Sequence, residues 1–321
     1  MNAMSKYILL FSIATASLLS ACQKSLSTGE ADFDVRINST SLSLGDTAKF
    51  SFTGKPDVIT FYSGEVGKRY MYRNRTTAEG TPLLRFRTIR ANGAQTNSLS
   101  VMVSDNFEGV LVKDTPTTVN RIGSAAWTDI TARATLSTGA AAAVASGNID
   151  LSDFSAKGKP VYIAFKYQGL AGSIQNKWTI DSFTVKNVLA DGTSYEIANM
   201  NAGNISYNNY GVPCFSPGYS AFRVMNSYYW VVNTTSLVIT GATSAGAATA
   251  AEAWVLLGPV DLKKVTPDMG VQVKNTSQKA EEVRPIYQYP AAGVYNAVFA
   301  GGKVSIDDNE YTTKSFQITV K

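Results

Sequence analysis

Hydrophobic and polar positions alternate with period two along most of the chain. Phe33, Val35 and Ile37 alternate with Asp34 and Arg36, and Ala48, Phe50 and Phe52 with Thr47, Lys49 and Ser51. Between these runs Leu42 and Leu44 lead into a Gly45-Asp46 turn. Alternation bounded by turn residues marks half-buried strands. Residues 58–62 and 69–74 continue the pattern, and further strands are predicted at 83–89, 99–104, 161–167, 178–185, 222–225, 228–232, 236–239, 254–257, 294–299 and 316–320. No long amphipathic helix is predicted. Two alanine-rich stretches, 137–146 and 241–253, lack an apolar stripe and are broken by Gly, Ser and Thr, so they read as loops with at most one helical turn. Many short strands separated by Gly, Asn, Asp and Pro predict an all-β protein built from sandwiches.

The beginning of the chain departs from this pattern. Lys6 precedes an uncharged, mostly apolar run from Tyr7 to Leu19. That run is shorter than the ~18–20 residues needed to span a bilayer, so residues 1–21 read as a signal peptide. Leu19, Ser20, Ala21 and Cys22 match the bacterial lipobox, in which small residues admit the lipoprotein signal peptidase beside an acylated cysteine. The plainer alternative is an ordinary cleavage site that happens to precede Cys22. Each buried acyl methylene contributes ~0.8 kcal/mol and one chain alone binds weakly, so a triacylated Cys22 is expected to anchor the protein durably. Residues 22–31 are small and polar, as a tether would be.

Composition narrows the chemistry. The 321 residues contain no histidine and two cysteines, which excludes histidine-based triads, imidazole acid/base chemistry and the usual zinc ligand sets. With Cys22 acylated, Cys214 has no disulfide partner and reads as a small buried hydrophobe beside Pro213 and Phe215. A net charge of +5 is no nucleic-acid footprint. The length suggests about two domains on a prior of ~100–200 residues each.

Ser43-Leu44-Gly45-Asp46-Thr47-Ala48-Lys49-Phe50, with Ile59-Thr60-Phe61-Tyr62-Ser63-Gly64-Glu65, resembles the first half of a PKD-like, Ig-like sandwich found in Bacteroidetes lipoproteins of unknown function. Residues 287–299 and Ile318-Thr319-Val320 resemble its second half. Half a sandwich cannot bury its own face, so residues 32–76 and 273–321 are expected to form one discontinuous domain around an insertion at 77–272. The insertion resembles a choice-of-anchor jelly roll through Ser104-Asp105, Ala126-Trp127-Thr128-Asp129-Ile130, residues 146–151, residues 161–167 and Trp178-Thr179-Ile180-Asp181. These likenesses imply an outer-membrane lipoprotein associated with glycan uptake, with no settled activity to carry over. Cys22 is followed by Gln23-Lys24-Ser25, without the acidic pair that often marks surface export in that phylum, so the surface and periplasmic faces both stay open. Asp46-Thr47-Ala48 resembles a short O-glycosylation acceptor, which makes Thr47 a candidate, although a turn leading into a strand needs no sugar.

Sugar sites pair an aromatic platform with amide or carboxylate groups for the hydroxyls. The candidates are Tyr207, Asn208 and Tyr210 in an apparent loop, and Tyr228, Tyr229 and Trp230. If the second group is a strand, Tyr228 and Trp230 share one face and Tyr229 takes the other, so one set must be core. Trp127, Trp178 and Trp254 are expected in the core. A basic constellation comprises Lys68, Arg69, Arg73 and Arg75 interleaved with Tyr70 and Tyr72, then Arg85, Arg87 and Arg90. On a strand, Arg69, Arg73 and Arg75 would share a face able to meet uronic or sulfated sugars, or would form a solvated edge. Asp307, Asp308 and Glu310, with Asn309, form the densest oxygen cluster, a calcium candidate without EF-hand spacing that is most simply read as a turn between two strands; Asp150 and Asp153 form a weaker cluster. No nucleophile elbow or phosphate-binding glycine loop is present, and no carboxylate pair is singled out for hydrolysis. The expectation is a non-catalytic, lipid-anchored, glycan-binding protein without a cofactor, with an adhesin or assembly subunit as the alternative.

Overall fold

The computed structural model describes residues 32–111, 113–200, 208–209, 212–213, 218–304 and 309–321. They form an all-β protein of several sheets in sandwich-like arrangements. The chain divides into two compact units: Met1–Asn74 with Pro267–Lys321, and the continuous stretch Arg75–Thr266 between them. The expected signal peptide and tether, Cys22 included, lie outside the described residues.

In the discontinuous unit, a three-stranded sheet runs in the order Phe33–Ile37, Thr47–Gly54 and Ile286–Gln288. A five-stranded sheet runs Val271–Lys274, Val58–Tyr62, Gly293–Val304, Asn309–Val320 and Ser41–Leu42, the last pair parallel. The alternation read from the sequence is what buries this unit: Phe33, Val35, Ala48, Phe50 and Phe52 face inward and meet Ile59, Phe61, Phe299 and Ile318 from the other sheet. The rings pack edge-on or stacked, with Phe61 and Phe299 centroids 4.6 Å apart.

The inserted unit stacks a five-stranded sheet, in the order Tyr219–Met225, Ala251–Val260, Val161–Gly169, Leu99–Ser104 and Thr128–Asp129, on a seven-stranded one. The central strands of the latter are Lys177–Val188 and Thr81–Ala91, antiparallel to each other. Strand Val161–Gly169 shows the logic of the packing. Ile163, Phe165 and Tyr167 enter the main core, while Ala164 faces a second cluster with Phe107, Ile122 and Trp254 on the sheet's other side. Ile122 comes from a helix, Thr115–Ser124, that the sequence pattern did not predict; Asp114 caps it by accepting the Thr117 N–H at 3.0 Å. Trp178 and Trp254 are buried and Trp127 is half-buried against Trp254.

Two expected boundaries and one expected strand need correction. Residues 267–272 were expected in the insertion but belong to the discontinuous unit, because Asp268 N–H donates to Tyr72 O and Met269 N–H to Gly67 O. Arg75 and Thr76 belong to the insertion, where the Arg75 guanidinium donates to Tyr195 Oη at 2.8 Å and Thr76 O accepts from Val265 N–H. The strand expected at 69–74 is instead a single 3₁₀ turn, Tyr70–Tyr72.

Candidate functional site

The predicted aromatic segments diverge. Tyr207 and Tyr210 lie outside the described residues, as does Cys214. Of Asn208 only the backbone is described, paired with Pro213 in a two-residue ladder. Past strand Tyr219–Met225 the backbone leaves strand geometry at Asn226, which has φ 64°. Tyr228, Tyr229 and Trp230 follow outside any strand, so the parity argument does not apply to them. Trp230 is 2% exposed in the main core and its indole N–H donates to Ala253 O at 3.2 Å. It therefore presents no ring face to a sugar, and its candidacy falls. Tyr228 is half-buried. Tyr229 is 51% exposed, with the Arg223 guanidinium 4.7 Å from its ring centre, and the two line a shallow pocket with Thr115, Ala221 and Phe222.

The basic constellation is dispersed. Arg69 forms an ion pair with Asp268 at 3.0 Å, and the Asp268 side chain is fully buried. Lys68 is bound to Glu65 and to Tyr287 Oη. Burial alone would raise the Glu65 carboxyl, but hydrogen bonds from Ser63, Tyr287 and Lys68 outweigh it and hold the group below its ordinary value. Arg90 is held by the carbonyl oxygens of Thr138 and Gln95.

Arg85 and Arg87 come together with a cation that the sequence pattern did not single out. On strand Thr81–Ala91, Leu84 and Phe86 enter the core while Leu83, Arg85 and Arg87 face outward. Directly opposite on Lys177–Val188 stand Lys186, across from Leu83, and Thr184, across from Arg85. Paired residues of antiparallel strands project to the same face, so these side chains line one open cleft of about 440 Å³ with Asn148, Ser182 and Val188. A bulge between Asp181 and Thr184, with Ser182 at φ 53°, interrupts the register at one end. Arg87 is bound to Asp181 at 2.6 Å. Arg85 and Lys186 have no ion-pair partner among the described residues. The cleft thus offers two cations outside any ion pair, with amide and hydroxyl groups around them and Glu196 across from Lys186 on the neighbouring strand Ser194–Asn199, an arrangement suited to an extended anionic chain carrying hydroxyls. The pattern Leu83-x-Arg85-x-Arg87 carried half of this signal; Lys186 became visible only through strand pairing.

The calcium candidates are not assembled. Asp307 and Asp308 lie outside the described residues, and Glu310 is half-buried in strand Asn309–Val320. Asp153 is bound to Arg133, and Asp150 accepts the Ser152 N–H. No group of three or more acidic, Cys or His residues that could hold a metal ion occurs among the described residues. Thr47 opens strand Thr47–Gly54, half-buried and paired with Gln288. Among the described residues no helix is long and apolar enough to cross a membrane.

A family model described as Domain of unknown function (DUF5017) matches residues 21–205, which cover more than half of the chain and run from the first half of the discontinuous unit into the inserted one. No curated protein and no solved structure matches the chain.

Proposed function

The chain belongs to the family described as a domain of unknown function (DUF5017), a description that assigns no activity, and from that premise we propose that it is a non-catalytic, lipid-anchored outer-membrane lipoprotein that binds a polysaccharide. The lipobox ending at Cys22 supports the anchor, and the likeness to PKD-like and choice-of-anchor modules of Bacteroidetes lipoproteins supports the compartment and a role beside glycan uptake. The observation that carries the binding reading is the open face of Arg85, Arg87, Lys186, Thr184 and Asn148 on the inserted unit. Guanidinium groups meet carboxylates and sulfates in bidentate geometry, so the preferred glycan is acidic.

The test is retention of the chain on immobilised polygalacturonate, chondroitin sulfate and neutral dextran. Binding to the two acidic polymers, weakened by salt and reduced at least tenfold in Arg85→Gln/Lys186→Gln, is the expected result. Equal retention on dextran, or retention that the double variant leaves unchanged, would remove the cleft from consideration.

A specific observation keeps the assembly reading alive. Val271 and Ile286 are exposed apolar side chains on outermost strands of the two sheets of the discontinuous unit, and such edges can pair with another chain. Concentration-dependent oligomers of the chain would favour that reading.

A further inference from the structure

On the discontinuous unit, the outer face of the five-stranded sheet carries an aromatic pocket of about 350 Å³ lined by Thr60, Tyr62, Tyr70, Arg73, Ala300 and Tyr311. Strand pairing builds it. Thr60 stands opposite Ala300, Tyr62 opposite Val298, and Tyr311 opposite Gly302, so these residues share one face while Ile59, Phe61 and Phe299 enter the core on the other. The central strand contributes small side chains at this point, and that leaves the floor bare. The Tyr311 ring lies over Gly302, where an added Cβ would stand 2.5 Å from its Cε1, and Tyr62 packs on Gly270, where an added Cβ would stand 2.8 Å from its Cε2. The rings hold their places because glycine leaves room for them.

Tyr70 arrives from the 3₁₀ turn and meets Tyr62 edge-on, with centroids 5.2 Å apart. Arg73 lies over Tyr70, its guanidinium carbon 3.9 Å from the ring centre, with one N–H donated to Tyr70 O at 3.0 Å. Lys68 and Arg69, its basic neighbours, are taken up by Glu65 and Asp268. Arg73 has no carboxylate partner among the described residues, and none of the three phenol hydroxyls has a hydrogen-bond partner there. Burial raises the Tyr62 phenol above its ordinary value despite the nearby Arg73 charge, so it stays a donor at neutral pH. Tyr311 is 53% exposed, an arrangement that packing of this unit does not require.

We infer that this pocket is a second ligand site, separate from the basic cleft of the inserted unit, and that it takes an anionic pyranose: the tyrosine rings receive the C–H face of the sugar and Arg73 receives its carboxylate or sulfate. Ring faces pair with apolar C–H surfaces, while a guanidinium held over a ring keeps its remaining N–H donors, here those not given to Tyr70 O, for a bidentate acceptor. The volume lies at the lower end of the ~300–1,000 Å³ range of small-molecule sites, suited to one sugar ring and its substituent. The inference stands without the cleft on the inserted unit and fails separately from it.

The test uses the full-length, detergent-solubilised chain in ligand-observed NMR titrations with methyl β-glucuronide, glucose 6-sulfate and uncharged methyl β-glucoside. At least one anionic probe is expected to bind at least tenfold more tightly than the glucoside. Arg73→Gln should bring that probe down to the glucoside's level, and Tyr311→Ala should weaken charged and uncharged probes alike by at least fivefold. Both variants are exposed substitutions whose folding is checked by an unchanged unfolding midpoint, and the titrations are repeated in the Arg85→Gln/Lys186→Gln background, where binding of the anionic probe and its loss on Arg73→Gln should both persist. Failure of the wild-type chain to bind either anionic probe would overturn the inference, as would binding indifferent to Arg73→Gln and Tyr311→Ala, or binding abolished by the Arg85/Lys186 double variant.

Discussion

Tyr167 shows how far burial can shift one side chain in this protein. It stands fully buried in the core of the inserted unit, its hydroxyl donating to Asn176 O at 3.0 Å. Burial, with a smaller contribution from Tyr228, pushes its phenol from 10.0 up to about 12. Below the first of these values both folded and unfolded chains keep the proton. Between the two the unfolded chain releases it first, so stability is intact below pH ~10 and falls as pH rises through the window, by ~2–3 kcal/mol once the folded group also ionises. Tyr167→Phe should lose ~1 kcal/mol at neutral pH from the missing hydrogen bond yet show a shallower alkaline decline; urea midpoints at pH 8, 10 and 11 compare the two. Equal slopes in both chains would assign the decline to other groups. Single residues were also where the sequence was least informative. Tyr229 and Trp230 are neighbours with opposite exposure, and only the departure from strand geometry at Asn226, together with the reach of the Trp230 indole to Ala253 O, decides which is core.

Whole elements were legible wherever their pattern reported on their own burial. Strands at 33–37, 47–54, 58–62, 99–104 and 161–169 appear where period-two alternation places them, because a strand with one buried face must alternate. The segment Arg69-Tyr70-Met71-Tyr72-Arg73 alternates too, and it misleads. Its turn is set by Asp268, 199 residues away in sequence, whose carboxylate accepts both the backbone N–H and the side-chain Nε of Arg69. A residue so distant leaves no local signal. The helix Thr115–Ser124 was missed for a related reason, since it buries only Thr118 and Ile122 and carries too narrow an apolar stripe to register. The tie to Asp268 makes a prediction at this scale. Asp268→Ala leaves the largely buried Arg69 guanidinium without its carboxylate, and breaking a buried pair from one side costs ~3–5 kcal/mol. Denaturant unfolding should show a loss of that size, and Tyr70 and Arg73 should lose their fixed positions over the sheet. A loss under ~1 kcal/mol would mean that the turn is held by something else.

At the scale of the molecule, the consequential fact is that one unit is continuous and the other is not. The inserted unit has its own main core, drawn from both of its sheets, and a second cluster beneath the helix Thr115–Ser124. Its two ends meet: Thr77 bridges Lys264, Ala78 N–H donates to Lys263 O, and Val265 N–H donates to Thr76 O. The discontinuous unit closes in the same way, with Asp268 N–H donating to Tyr72 O across the gap from which the insertion departs. Where ends are adjacent and the core is self-contained, a segment can fold without its host. Residues 75–266 expressed alone should therefore give a monomeric, cooperatively unfolding β protein, with a single denaturant transition and dispersed amide resonances. The residual chain, with Asn74 joined to residue 267 through a short Gly-Ser linker, should do likewise, because its core residues Phe50, Phe61, Phe299 and Ile318 all come from its own two sheets. Two folded fragments would also separate the binding sites physically, acidic polymer remaining with the first and anionic monosaccharide with the second. An excised insertion that stays unfolded or aggregates would mean that its stability depends on its host, and affinity could then not be assigned by excision.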